Sequence, residues 1–514
     1  MNKNTIAGAI AENFLGDTPK WYKLLIISYL IINPIIFAID PFLAGWILII
    51  EFISTLALAL VCYPLPSGGL LAVEAVAIGM TKPETVYHHV MDNFPVILLL
   101  MFMVAGIFFM KELLLFIFTR LLVKIKSKIG LSLIFCFLGT FLSAFLDALT
   151  VTAVATTVAF GFYRIYHQYA SSKKSQEVVP CKNDDYIDPI DKEDLENFRG
   201  FLRNLMMHAA VGTTLGGALT LVGEPQNLLI GEKMGWNFME FLHECSPVSI
   251  PVLLSGLATC FFVETTKILG YGYRLPDNVR KVLEAEVRKT SETMDSKTIG
   301  RFIVEALAGI FLILALAFHL AEVGLVGLTI IILVTAFTGI TEEHQFGESF
   351  KESLPFTALL VVFFTVVAVI DTQDLFAPIM NGVFKIDGKA QIMAFFAANG
   401  ILSAISDNVF VATVYITEAE KHFRGTMPDG TFVKALNELD PVKALQFNHT
   451  AVAINMGTNI PSVATPNGQA AFLFLLTSTL APLIKLSYMQ MIKLALPYTI
   501  IMTTVAALAT YYNL

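Results

Sequence analysis

Two aspartates stand where aspartates are costly. Asp147 lies in Phe145-Leu146-Asp147-Ala148-Leu149-Thr150, and no other acidic or basic residue occurs between Lys128 and Arg164. Asp407 lies in Ser406-Asp407-Asn408 within a second apolar stretch. A carboxylate at membrane depth is expensive and marks ion or proton paths. Low dielectric disfavours its bare charge, so it would hold either a proton or a small hard cation, and not both well. That competition alone produces exchange. A plainer role is also open, because an aspartate caps a half-helix. At the tip of a re-entrant hairpin the two roles are compatible.

Two helix breakers complete the set. Gly223-Glu224-Pro225-Gln226-Asn227 and Thr465-Pro466-Asn467-Gly468-Gln469 both interrupt apolar segments. Proline removes a donor and frees a carbonyl, and irregular backbone at membrane depth survives only against protein or a cavity. Freed carbonyls and half-helix ends coordinate ions in transporters. An ordinary proline kink is the simpler alternative, but the break occurs twice. Asn227 and Asn467 would add amide oxygens. Thr213 in Gly212-Thr213-Thr214, and Thr458 and Asn459 in Gly457-Thr458-Asn459, would support them, as would Thr150 and Asn408 beside the aspartates. Glu224 is either a third titrating group or a cap facing water. Glu51 and Glu74 are expected to pair within the bundle, and Asp371 and Asp374 to be interfacial. His208, His319 and His449 flank spans, where a histidine can sense pH or be satisfied structurally. The five cysteines form no CxxC or His/Cys cluster, so neither a disulfide framework nor a zinc site is expected. No cofactor is implied beyond transported Na+ or Li+ and H+.

The elements that must position these residues are written twice. Gly79-Met80-Thr81 recurs as Gly339-Ile340-Thr341, Pro95 as Pro355, Leu142-Ser143-Ala144 as Leu402-Ser403-Ala404, and Asp147 as Asp407. Each pair is 260 positions apart (407 − 147). Further on, Val222–Asn227 faces Val463–Gly468 at an offset of 241 (466 − 225). Transporter repeats are often inverted, with the substrate site at their interface. Loop charge agrees. Arg120, Lys124, Lys126 and Lys128 crowd one helix end, whereas the window 260 residues on, 380–388, holds only Lys385. Cytoplasmic flanks are Lys/Arg-rich, so equivalent loops fall on opposite sides.

Composition sets the class. Of 514 residues 55% are hydrophobic and only 15% charged, against about 25% in soluble domains. Mean hydropathy is +0.69. Apolar runs recur from end to end, which excludes one anchor on a soluble domain. No basic stripe with interleaved aromatics suggests nucleic acid. The N-terminal stretch carries Glu12 and Asp17 and does not read as a cleaved signal. The expected fold is an all-α polytopic membrane protein of about 11 crossings, with the N-terminus cytoplasmic. Residues 1–42 hold an N-terminal segment and lead helix. Repeat 1 spans 43–266, with a hairpin around 131–163 and a cytoplasmic loop at 164–203. A cytoplasmic linker, 267–300, includes an amphipathic helix near 280–296. Repeat 2 spans 301–514, with a hairpin around 391–417. The polar stretch 168–196 reads as loop.

The Phe145–Thr150 run, the Val222–Asn227 break and the segment Thr458–Ala470 strongly resemble the NhaB-type sodium/proton antiporters of Gram-negative bacteria. The likeness runs from Trp21-Tyr22-Lys23 to Leu496-Pro497-Tyr498. That family looks like part of a larger ion-transporter superfamily of two inverted five-helix repeats, each with a re-entrant hairpin and a broken helix. The resemblance implies electrogenic exchange of cytoplasmic Na+ or Li+ for external H+ at the inner membrane, with Asp147 the principal ion-binding carboxylate. By analogy the hairpin domain slides against a scaffold in a homodimer embedded in lipid. In the dicarboxylate branch the hairpin tips read Ser-Asn-Thr. The aspartates here would repel an anionic substrate. Three alternatives remain at this level: a Na+-coupled symporter of the same fold, an intramembrane aspartic enzyme, for which the GxGD and HExxH motifs are missing, and a passive channel, which a saturable, pH-coupled flux would exclude.

Overall fold

The computed structural model describes residues 6–173, 179–351, 353–386, 388–425, 427 and 432–514. Among them the secondary structure is helical, without a strand. The principal helices in chain order are α1 (Lys20–Ile39), α2 (Pro41–Ala57), α3 (Pro64–Ala77), α4 (Lys128–Ser143), α5 (Ala148–Ser172), α6 (Pro189–Gly217), α7 (Pro225–Met234) and α8 (Phe238–Thr266). They continue with α9 (Asp277–Glu292), α10 (Ser296–Ala317), α11 (Val323–Thr338), α12 (Ser353–Thr372), α13 (Lys389–Ser403), α14 (Asn408–Arg424), α15 (Pro441–Asn459), α16 (Ala470–Thr477) and α17 (Tyr488–Asn513). Six of these, α1, α5, α8, α10, α12 and α17, are each long and apolar enough to cross a membrane. The pair Pro83–Asp92 and Phe94–Phe108, bent by 66°, is together long and apolar enough to be a broken span or a re-entrant loop. Helices α2, α3, α4 and α11 are shorter and apolar, whereas α6 is long but polar in its first half and α9 is amphipathic.

The chain stops and restarts these helices with side-chain caps. Asp40 accepts from Leu43 N at 3.1 Å ahead of α2, Ser127 from Gly130 N at 3.1 Å ahead of α4, and Asp440 from Val442 N at 3.0 Å ahead of α15. An Asn237/Glu240 capping box opens α8. Proline takes the first position of α2, α3, α6, α7 and α15, where its missing N–H costs nothing.

Helices α4 and α5 form one hairpin, turning at residues 144–147. Helices α13 and α14 form the other, turning at 404–407. Each hairpin packs backbone to backbone on a broken helix through small residues. A Cβ added at Gly212 of α6 would lie 2.2 Å from Cys136 O of α4, and one at Gly457 of α15 would lie 2.6 Å from Phe396 O of α13. Only hydrogen fits there, and such contacts let membrane helices approach closely.

The two hairpins root at different levels of α17, one near its middle and one near its C-terminal end. At the root of α4, Lys128 pairs with Glu264 at 2.9 Å, Glu264 with His208 at 2.7 Å, and His208 with the Tyr498 hydroxyl at 2.7 Å. At the root of α13, Lys389 Nζ donates to Tyr511 O at 2.7 Å. Tyr498 and Tyr511 are 13 residues apart on one helix, roughly 20 Å.

Three boundaries differ from the sequence reading. Helices reach into 168–196 from both sides, since α5 runs to Ser172 and α6 starts at Pro189. Some of the polar residues that made this stretch read as loop face protein: Ser171 and Asp191 are buried, and Lys173 pairs with Asp191 at 2.9 Å. The loop expected at 164–203 shrinks accordingly; residues 174–178 of it lie outside the described ones. The amphipathic helix of the linker falls at Asp277–Glu292, held by Arg280 on the Val123 and Ile125 carbonyls.

Candidate functional site

Both hairpin tips and both helix breaks meet at one cavity of about 300 Å³. Asp147, Glu224, Gln226, Asp407, Asn408 and Asn467 line it on the hairpin side. Leu56, Tyr63, Phe356 and Leu359 close the facing wall, so the polar face is set against apolar helices α2 and α12.

Each aspartate caps the returning arm of its hairpin. Asp147 Oδ2 accepts from Thr150 N at 3.1 Å, and Asp407 Oδ1 from Val409 N at 2.9 Å and Phe410 N at 3.3 Å. The capping role is thus present, and both residues still line the cavity. A carboxylate at a helix N-terminus is favoured by the dipole, which fixes its position as well.

The breaks are built alike. Thr220 Oγ1 donates to Ala144 O at 2.5 Å, and Thr465 Oγ1 to Ala404 O at 2.6 Å. A Cβ at Gly223 would lie 2.8 Å from Ser143 O, and one at Gly468 would lie 2.6 Å from Ser403 O. Ser143/Ser403 and Ala144/Ala404 keep the offset of 260, so Thr220 answers Thr465 and Gly223 answers Gly468. The offset across the break is 245 (465 − 220), not the 241 that aligning the prolines suggests. The prolines mislead because Pro225 opens α7 whereas Pro466 sits four residues before α16. The upstream pair Gly212-Thr213/Gly457-Thr458 already carries the offset of 245 (457 − 212).

Behind the cavity wall an amide lattice joins the two breaks. Asn459 Nδ2 donates to Asn227 Oδ1 at 3.1 Å and to Asn455 Oδ1 at 2.8 Å, and its own Oδ1 accepts from Gln226 Nε2 at 2.9 Å. Asn227 Nδ2 donates to Gly217 O at 2.6 Å and Thr220 O at 2.7 Å, satisfying carbonyls that the break would orphan. Gln469 Nε2 donates to Asn459 O at 2.9 Å and Ser462 Oγ at 2.8 Å.

The residues singled out from sequence therefore separate by position. Asp147, Asp407, Glu224, Asn408 and Asn467 meet at the cavity. The Asn408 and Asn467 Oδ1 atoms are buried without a hydrogen-bond partner, as is the Thr150 hydroxyl beside Asp147. Asn227 and Asn459 lie one layer behind. The Thr213 and Thr458 hydroxyls bond carbonyls of their own helices, Ala210 O at 2.8 Å and Ile454 O at 2.8 Å. Gln226, Gln469 and Tyr63 were not singled out, although the offset of 245 marks Gln469. Glu51 and Glu74 share the amide of Asn33 at 2.8 and 3.0 Å, remote from the cavity.

A family model described as Bacterial Na+/H+ antiporter B (NhaB) matches residues 2–514. The protein named Na(+)/H(+) antiporter NhaB of Teredinibacter turnerae is 56% identical over 512 residues, 99% of each chain. That of Klebsiella pneumoniae is 56% identical over 506 residues, 98% of this chain and 95% of its own. That of Escherichia coli is 56% identical over 506 residues, covering 98% and 96%.

Proposed function

The chain belongs to the NhaB family of bacterial Na+/H+ antiporters, and from that premise we propose how it exchanges the two ions. Cytoplasmic Na+, or Li+, leaves the cell as external H+ is taken up. The observation that carries this reading is the single cavity on which two helix-capping aspartates, Glu224 and unpartnered amide oxygens converge. Hard cations prefer such oxygen donors. Asp147 and Asp407 bind the ion, with Asn408 and Asn467 supplying neutral oxygens and Thr150 a hydroxyl. Asn227 and Asn459 hold the two breaks in register. Na+ and H+ compete for the same carboxylates, so the cavity carries one load outward and the other inward.

Access alternates as the two hairpins, the broken helices α6–α7 and α15–α16, and α8 and α17 move together against α1–α3, α10 and α11. The apolar wall of the cavity, contributed by α2 and α12, is the surface they move along. The same membership supports placement in the inner membrane with a cytoplasmic N-terminus, and a homodimer built on the static helices. In electrogenic exchange more H+ enters than Na+ leaves.

Inverted vesicles from cells lacking other sodium exporters test the reading. With a respiratory pH gradient established and reported by an acridine dye, Na+ or Li+ restores fluorescence and K+ or choline does not. No response to Na+ at any pH would overturn it.

A further inference from the structure

The two halves of the cavity share a backbone plan and differ in chemistry at one point. The register of the breaks, fixed by the Thr220/Thr465 hydrogen bonds and the Gly223/Gly468 contacts, places Glu224 opposite Gln469 (469 − 224 = 245). Both are extended residues immediately before the second half-helix, α7 or α16. The residue each side chain turns toward differs as well. Gln469 Nε2 is tied to Ser462 Oγ at 2.8 Å. The counterpart of Ser462 is Gly217 (462 − 217 = 245), where a Cβ would lie 2.7 Å from Glu224 Cγ and 3.1 Å from its Oε1. With no hydroxyl there, Glu224 Oε1 is buried without a hydrogen-bond partner, and the residue is only 4% exposed. A buried carboxylate oxygen left bare is costly unless a proton or a cation occupies it.

We propose that Glu224 is the proton carrier of the first repeat, a role that Gln469 cannot fill in the second. The cavity then has a proton-exchanging half, Asp147 with Glu224, and a half in which Asp407 lies beside Asn408 and the neutral Gln469 stands at the position that answers Glu224. On external exposure the Glu224 carboxylate takes a proton from water. On cytoplasmic exposure it returns that proton to water as Na+ settles beside Asp147. The inference rests on the antiporter reading and extends it by assigning the asymmetry.

The test compares four full-length proteins in proteoliposomes: wild type, Glu224→Gln, Gln469→Glu and the double exchange. The readout is the slope of the logarithm of the apparent Na+ KM against pH, in which each competing proton contributes about one unit by linkage. Glu224→Gln is expected to keep saturable Na+ transport and to flatten the slope by about one unit. Gln469→Glu steepens it, and the double exchange returns it toward wild type. Where Glu224→Gln is folded but does not turn over, protons released on adding NaCl to the detergent-purified protein give the same comparison, and fewer are expected than from wild type. An unchanged slope, or unchanged proton release, in Glu224→Gln overturns the proposal. A wild type whose Na+ affinity ignores pH sinks the antiporter reading instead, so the two failures are distinguishable.

Discussion

At the scale of single residues, helix capping and the proposed ion binding fall on the same carboxylates. Asp147 and Asp407 each hold the first turn of a returning hairpin arm with one side of the carboxyl group and line the cavity. Replacement by asparagine keeps an oxygen acceptor for the cap, so the fold is expected to survive while the charge is lost. Asp147→Asn should abolish Na+-driven dye dequenching in vesicles with little change in the amount of protein inserted. Dequenching at the normal rate would show that another group carries the ion. The asparagines behind the wall act differently. Asn459→Ala removes the bond to Asn227 and leaves Gln226 Nε2 without its acceptor, and a buried polar group left unpaired costs about 1–3 kcal/mol. A lower melting midpoint in detergent and a reduced kcat, with a smaller change in Na+ KM, are expected. An altered KM with unchanged stability would make Asn459 a ligand instead. The aspartates and Asn467 were legible in the sequence because polarity inside an apolar run is a strong signal. The lattice role of Asn227 and Asn459 was not, because spacing does not say whether an amide faces an ion or another amide. Glu224 could be marked as titratable, but its answering Gln469 emerged only once the breaks were in register.

At the scale of elements, hairpins and breaks are held by polar bolts at their ends. On the side where α4 roots, Arg199 donates to Asp184 Oδ2 at 2.9 Å, the Tyr163 hydroxyl at 2.6 Å and Leu483 O at 2.8 Å. It thus fastens α5, the loop before α6 and the chain after α16 together. Burial pushes the Asp184 carboxyl up, but the Arg199 guanidinium and His167 outweigh it and hold it below the ordinary carboxylate value. A carboxyl depressed in the fold contributes stability above its unfolded pKa and loses it as pH falls through the folded value. Asp184→Asn should therefore lower the melting midpoint at pH 7, with the gap to wild type closing below about pH 4. A constant gap across that range would show that the pairing is not the source. The segment 168–196 hid these bolts from sequence reading, since helical residues that face polar partners look like loop. The hairpins themselves were visible, because 33 residues of apolar sequence around one aspartate exceed a single span.

At the scale of the molecule, two repeats meet at a shared cavity, and the proposed mechanism needs them to enter from opposite sides. The rooting of α4 and α13 at different levels of α17, with the loop charges, predicts that the corresponding loops lie on opposite sides. In a cysteine-less background, Lys385→Cys should react with an impermeant maleimide in right-side-out vesicles, and Lys182→Cys only after the inner face is opened. Labelling of both from one side would contradict the inversion. The sequence carried this inversion in its offset of 260 and its loop charges. It could not carry the convergence of all four polar segments on one cavity, which depends on how the repeats pack.

The central claim is that Na+ and H+ compete for the carboxylates of that cavity. Equilibrium binding of radioactive Na+ to the detergent-purified protein across pH tests it most directly. Binding is expected to be saturable, to weaken steadily as pH falls and to be lost in Asp147→Asn and in Asp407→Asn. Na+ binding of constant affinity from acid to alkaline pH, or full binding in either asparagine variant, would contradict it.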